Sequence, residues 1–124
     1  PIRHVDDALT KPAIVDAIRL IATALKAAGR SNPRIAVAAL NPHAGEGGAF
    51  GREEIDIIAP AVGLAAAEGL DVVGPFPADT IFPRAKREGF DGIVTMFHDQ
   101  GQIALKLLGL GRGVTLLAGL RVPS

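Results

Sequence analysis

Hydrophobic side chains recur every three or four residues in the first part of the chain, which is the spacing of one face of an α-helix. They are Ile14, Val15, Ile18, Ile21 and Leu25. Thr10 is a residue type that caps helix N-termini, and Pro12 falls where a first helical turn accepts proline. Glycine commonly ends a helix, as Gly29 would here. The pattern therefore predicts an amphipathic helix between Thr10 and Gly29.

Short apolar runs and helical patterns alternate along the rest of the chain. Residues 35–40 form a continuous apolar run after Pro33, which suits a buried parallel strand. Gly74, Pro75 and Pro77 indicate a loop. Further strands are expected at 71–73, 92–97 and 114–117, and helices at 53–68, 79–87 and, as a short one, 103–107. The alternation predicts an α/β layered fold with a mostly parallel sheet, in which ligand sites gather beyond the carboxyl ends of strands.

Composition narrows the class of protein. The chain has 124 residues, 48% of them hydrophobic, which is enough for one globular domain with a real core. Thirteen basic residues balance thirteen acidic ones, so nothing in the net charge points to nucleic acid or to a membrane surface as a partner. Cysteine is absent, which excludes disulfides and cysteine-based zinc sites and suits a reducing compartment such as the cytoplasm. No signal peptide and no membrane-spanning apolar run is visible.

The first candidate site is the glycine-rich segment 41–51, which follows the apolar run 35–40. Its glycines allow the backbone to approach a ligand closely. It is not a nucleotide loop, because the Lys-Ser/Thr pair of a P-loop is absent and Phe50 stands where a dinucleotide fingerprint needs glycine. His43 and Glu46 remain. They are either metal ligands or solvated residues of a turn that needs glycine, and the sequence favours neither strongly.

The second candidate site follows the strand predicted at 92–97. His98 and Asp99 come directly after it, at the position where α/β folds place their chemistry. Asp99 could orient the imidazole or act as a base, or it could simply cap a helix. Because His43 also follows a strand, the two histidines could supply two ligands of one metal ion.

Two further polar residues have both a functional and a plain interpretation. Asp79 follows a Pro-Ala pair and is either a site residue or a helix cap together with Thr80. Lys106 stands among leucines and is either a contact for a phosphate or carboxylate or a side chain that reaches out to water.

Several motifs resemble 4-hydroxythreonine-4-phosphate dehydrogenase of vitamin B6 synthesis, in the same order and with the same spacing across nearly the whole chain. The matching segments are 41–48, 50–55, 74–80, 96–102, Lys106 and 111–114. The resemblance implies an isopropylmalate-dehydrogenase-like subunit of two α/β domains with the active site in the cleft between them. It also implies a cytoplasmic homodimer. Residues 1–124 would be a single fragment of the central and C-terminal part of that subunit, truncated at both ends.

The activity implied by the resemblance is the NAD-dependent oxidation of 4-phosphohydroxy-L-threonine, followed by decarboxylation. A divalent ion (zinc, magnesium or cobalt) assists, held by three histidines, of which His43 and His98 match two. The third would precede Pro1 and come from the other subunit of the dimer. Asp79 and Asp99 would lie in the catalytic cleft and Lys106 would contact the substrate phosphate, while the NAD-binding residues cannot be assigned.

One departure from the family pattern affects the substrate. Thr115 stands where the phosphate-using members usually carry asparagine, so it is a candidate substrate-binding residue that puts the phosphate group in question. Related enzymes oxidise cis-dihydrodiols of aromatic acids, whose anionic group is a carboxylate. A third alternative is that residues 1–124 form only a folding or dimerisation module, inactive by itself.

Overall fold

The computed structural model of the protein describes residues 10–40, 54–97, 102–108 and 114–118. The described elements are α1 (Lys11–Ala27), β1 (Arg34–Leu40), a π-helical turn (Glu54–Ile58), α2 (Ala59–Ala67), β2 (Asp71–Pro77), α3 (Ala78–Glu88), β3 (Gly92–Phe97), β4 (Gln102–Leu107) and β5 (Val114–Ala118). No helix within these ranges is long and apolar enough to cross a bilayer.

Helix α1 confirms the prediction made from its hydrophobic spacing. The hydroxyl oxygen of Thr10 accepts a hydrogen bond from the backbone N–H of Ala13 at 3.2 Å, which satisfies one of the free donors of the first turn. All five residues of the predicted apolar stripe are buried. Beyond the helix, Gly29 adopts a left-handed conformation with a φ of 103°.

The described strands form one mixed sheet in the order β2-β1-β3-β4-β5. β1 runs parallel to both β2 and β3, whereas the β3/β4 and β4/β5 pairs are antiparallel. The prediction of a mostly parallel sheet is therefore wrong for the described strands. The cause is the length of the connections. Only residues 98–101 join β3 to β4, and a parallel return needs a crossover of about a dozen residues.

Strand β4 also corrects the short helix predicted at 103–107. Ile103, Leu105 and Leu107 alternate along it and are buried in the core on the α1 side of the sheet. Ala104 and Lys106 therefore lie on the opposite face, because successive strand residues point to opposite faces. This alternation fits a strand with one face against α1, although the run is short and apolar.

Strand β2 is longer than predicted, because it continues through the Gly74-Pro75 segment that we expected to be a loop. Its pairing with β1 is Ala36↔Val73 and then Ala38↔Phe76, so β2 contains one residue more than β1 at this point. Gly74 lies within the irregularity at a φ of 137°. A bulge lets the strand pass two turn-forming residues and continue its pairing.

Helices cover both faces of the sheet. α1 packs on β3 and β4, and α2 packs on α1 and β2, which buries one large apolar cluster. α3 packs on β1 and β2 from the other side. The cluster under α3 is smaller and contains Ala36, Ala38, Ile81, Ala85, Phe90 and Ile93. This arrangement confirms an α/β layered fold, while the isopropylmalate-dehydrogenase-like two-domain subunit stays a prediction.

Candidate active site

Three strand ends meet at one edge of the sheet, which we call the carboxyl edge. The last residue of β1, Leu40, is the register partner of the last residue of β3, Phe97. On the other side of β1, Ala39 is the partner of Pro77, the last residue of β2. The three parallel strands therefore end side by side at this edge, which is where α/β folds place their ligand sites.

Both predicted metal ligands belong to segments that begin at the carboxyl edge. His43 is three positions beyond the end of β1, and His98 is the first position beyond β3. His43, His98 and Asp99 all lie outside the described residues, so their roles stay predictions. Within the part of the chain that the structure describes, no cluster of three or more metal-binding side chains occurs.

Asp79 lies in the first turn of α3, directly after β2 reaches the carboxyl edge. Its side chain is exposed, and within the described residues it forms no hydrogen bond or ion pair. The N-cap position belongs to Pro77, so Asp79 does not cap the helix. The Thr80 hydroxyl donates a hydrogen bond to the Pro77 carbonyl at 3.1 Å. The capping alternative is therefore not observed, and the carboxylate stands where the positive end of the helix dipole favours a negative charge.

The orientation of α3 is fixed by an aromatic contact that sequence reasoning missed. The Arg84 guanidinium lies 4.3 Å from the centre of the Phe76 ring and pairs with Glu88 at 2.7 Å. Phe76 in turn lies 6.4 Å from Phe90. The i, i+4 spacing of Arg84 and Glu88 was the available signal that the Arg84 guanidinium is held in place. These contacts hold the helix whose first turn contains Asp79.

Lys106 and Thr115, both predicted to bind substrate, are brought together by the sheet. Their Cα positions are register partners between β4 and β5, and on its other side Lys106 pairs with Ile93 of β3. Lys106 is half-buried. It is four positions beyond Gln102, the β4 residue paired at the carboxyl edge, so its Cα lies about 13 Å along the strand from that edge. Lys106 on β4 is thus separated from Asp79, which lies in α3 directly after β2, by the strands β1 and β3.

A second polar cluster lies at the opposite end of the strands, and no pattern in the sequence predicted it. The two carboxylate oxygens of Asp91 accept hydrogen bonds from the Arg30 guanidinium at 3.1 Å and from the Arg34 backbone N–H at 2.8 Å. The Arg34 guanidinium donates to the Glu88 carbonyl at 2.9 Å and lies 5.4 Å from the centre of the Phe90 ring. This cluster joins the starts of β1 and β3 to the end of α3, so its role is structural.

The family model described as the pyridoxal phosphate biosynthetic protein PdxA matches residues 1–124. The chain belongs to the PdxA family. A Rhizobium meliloti (strain 1021) protein is 54% identical over 123 residues, which are 99% of this chain and 35% of that protein. The 4-hydroxythreonine-4-phosphate dehydrogenase of Beijerinckia indica is 53% identical over 117 residues, covering 92% of this chain and 35% of the relative.

Solved structures of PdxA-family proteins agree with the fold. The crystal structure of 4-hydroxythreonine-4-phosphate dehydrogenase from Klebsiella pneumoniae is 46% identical to this PdxA chain. It superposes with a TM-score of 0.65, over 82% of this chain and 31% of that one. The enzyme from Burkholderia phymatum is 39% identical with a TM-score of 0.63, over 90% and 38% of the two chains. The PdxA chain described here spans about a third of the length of its relatives.

Proposed function

We propose that this PdxA chain takes part in the NAD-dependent, metal-assisted oxidation of 4-phosphohydroxy-L-threonine in pyridoxal phosphate synthesis. A secondary alcohol next to the phosphorylated carbon is oxidised with hydride transfer to NAD, and the resulting β-keto acid loses carbon dioxide. Membership of the PdxA family and relatives named 4-hydroxythreonine-4-phosphate dehydrogenase support the proposal. The observation that carries it at the level of residues is the Leu40↔Phe97 pairing at the carboxyl edge.

That pairing bears directly on the proposed metal ligands. Because adjacent strands are about 4.8 Å apart, the segments that contain His43 and His98 start from neighbouring points of the sheet. Two imidazoles are a suitable donor set for zinc, cobalt or another divalent ion, with a third ligand still needed. A divalent ion bound there would act as a Lewis acid on the hydroxyl and the nascent ketone.

Two carboxylates at the carboxyl edge would assist in removing the proton of the substrate hydroxyl. Asp79 is exposed in the first turn of α3, free of any capping bond, and Asp99 directly follows His98. In the proposal they orient the substrate hydroxyl and assist removal of its proton. Lys106 and its register partner Thr115 would hold the anionic group of the substrate, away from the edge. NAD-binding residues are not assigned. A cytoplasmic homodimer whose other subunit supplies a third histidine belongs to the same proposal.

Cobalt(II) titration tests the metal site, because visible absorption and calorimetry both report histidine ligation. The chain has three histidines, so His4→Ala is a matched control for His43→Ala and His98→Ala. We expect each of the latter two to weaken binding about 10-fold or more, and His4→Ala to leave it unchanged. Unchanged affinity in both His43→Ala and His98→Ala would end the proposal.

The substrate branch needs a separate comparison, because Thr115 replaces the usual asparagine. Turnover of phosphohydroxythreonine and of a dihydroxy-cyclohexadiene carboxylate would be measured side by side with NAD and the metal. Faster turnover of the second compound would assign the protein to the cis-dihydrodiol branch. A protein that binds neither metal nor NAD would be a folding or dimerisation module.

A further inference from the structure

Thr95 lies on the face of the sheet that points away from α1. Its neighbours in β3, Val94 and Met96, are both buried in the large cluster on the α1 side. Strand residues alternate between faces, so Thr95 shares the opposite face with Ile93, which is buried in the smaller cluster. By the same alternation, Lys106 of β4 lies on that face too.

The register brings Thr95 and Lys106 close. Thr95 pairs with Ala104, and Ile93 pairs with Lys106, so Thr95 and Lys106 are diagonal neighbours across the β3/β4 pair. Diagonal Cβ atoms lie about 7–8 Å apart, which a long side chain spans easily. Ala104 is small, and α3 packs mainly on β1 and β2. Both register partners of Thr95, Ala38 and Ala104, are small, so neither side chain reaches between its hydroxyl and the lysine.

The hydroxyl of Thr95 lacks a protein partner within the described residues. Its side chain is half-buried, yet no hydrogen bond to it occurs there. A half-buried hydroxyl keeps only part of its contact with water, so an acceptor placed close to it improves its hydrogen bonding. A ligand acceptor placed beside Lys106 would satisfy it.

We infer that Thr95 is a further substrate-binding residue, whose hydroxyl donates a hydrogen bond to the same oxyanion that Lys106 neutralises. The inference rests on the proposed function and specifies its substrate class, a compound that carries a phosphate or a carboxylate. Lys106 supplies the charge, and Thr95 supplies a directed donor from the neighbouring strand. Hydrogen bonds to an ionised acceptor are about twice as strong as neutral ones, so the hydroxyl contributes substantially to affinity.

The test measures anion binding directly, without metal, NAD or turnover. Inorganic phosphate and acetate are titrated into the ¹⁵N-labelled chain, and affinities are taken from amide chemical shifts. Thr95→Val removes the hydroxyl at nearly constant shape, and Thr95→Ser restores it. Thr23→Val, on the exposed face of α1, is the matched control for the same change of side chain. The anion that binds more tightly, phosphate or acetate, shows whether the site prefers a phosphate or a carboxylate.

We expect the amides of Thr95 and Lys106 to shift in the unmodified chain. We also expect Thr95→Val to weaken binding of the preferred anion about 10-fold, with Thr95→Ser and Thr23→Val within about 2-fold of the parent. Parent-like binding by Thr95→Val, or a loss in Thr95→Ser equal to that in Thr95→Val, would overturn the inference. Anion binding that survives Lys106→Met unchanged would overturn it as well. None of these results depends on the histidines, so this failure is distinguishable from failure of the metal site.

Discussion

Gly74→Ala should be among the most destabilising single-methyl additions in the described sheet. A Cβ atom built on Gly74 would lie 2.5 Å from the carbonyl oxygen of Val37 and 3.1 Å from its Cβ atom. The first of these neighbours is backbone of the interior strand β1, which cannot move aside without disturbing its pairing with β3. In addition, a φ of 137° lies where side-chain-bearing residues are strained.

The magnitude has two parts. The unfavourable backbone conformation costs about 1–3 kcal/mol, and overpacking against a rigid neighbour costs about 1–3 kcal/mol more. We therefore expect a loss of about 4 kcal/mol in the free energy of unfolding, which is a large share of the roughly 5–15 kcal/mol of an ordinary domain. With a urea m-value of about 2 kcal/mol per molar, the unfolding midpoint would fall by about 2 M.

Alanine substitutions at two other glycines separate the cost of the backbone conformation from the cost of overpacking. Gly89 also has a positive φ, 71°, but nothing lies within 4 Å of an added Cβ. Its change to alanine should cost only about 1–2 kcal/mol. Gly63 lies in helix α2 with open space around it, and alanine there should stabilise by about 0.5–1 kcal/mol. Urea unfolding followed by circular dichroism measures all three. If Gly74→Ala loses no more than Gly89→Ala, the close approach to Val37 is not what requires glycine.

Two further predictions concern charged groups. Asp91→Ala leaves the backbone N–H of the half-buried residue Arg34 without its carboxylate partner, so it should lower the free energy of unfolding by about 1–3 kcal/mol, measured in urea. The control Asp16→Ala, on the exposed face of α1, should change it by no more than about 0.5 kcal/mol. Equal losses would show that the Asp91 bonds contribute nothing particular. The Arg19 guanidinium hydrogen-bonds to Glu68 and lowers the pKa of that carboxyl below its ordinary 4.5. The small stability from this pair should be present above the ordinary pKa and be lost as the pH falls through the lowered one. NMR titration of Glu68 in the parent and in Arg19→Met checks it, and an identical pKa in both would contradict the assignment.

Local patterns predicted the elements that have a strong period of their own. The stripe from Ile14 to Leu25 spans three helical turns, and both its register and its cap could be read from the residues. The run 103–107 is too short to show which element it forms, because a buried strand and a buried helical turn have similar apolar patterns over five residues. Its outcome was set by the four-residue connection after β3, which leaves room only for a reversal.

Long-range pairing limited what could be said of the candidate site. The ends of β1 and β3, which precede His43 and His98, were located from sequence, whereas β2 runs four residues beyond its predicted end at 73. The adjacency of the three ends depends on β1 lying between β2 and β3, which no local pattern encodes. The bulge at Gly74 is a further case. The Gly-Pro pair has the composition of a turn, and only pairing with β1 keeps the strand going. The shared position of Thr95 and Lys106 likewise depends on register.

The ionic cluster around Asp91 stabilises the end of the sheet that lies opposite to the carboxyl edge. The segments with the predicted metal ligands begin at the carboxyl edge. β1 runs seven residues from Arg34 to Leu40, so about 20 Å separates the two ends. Changes in the segments 41–53 and 98–101 should leave these bonds intact, because the partners of Asp91 among the described residues, Arg30 and Arg34, lie outside both segments. In the proposal these two segments hold the metal ligands, so randomising their other positions should alter catalysis while the framework keeps its thermal tolerance.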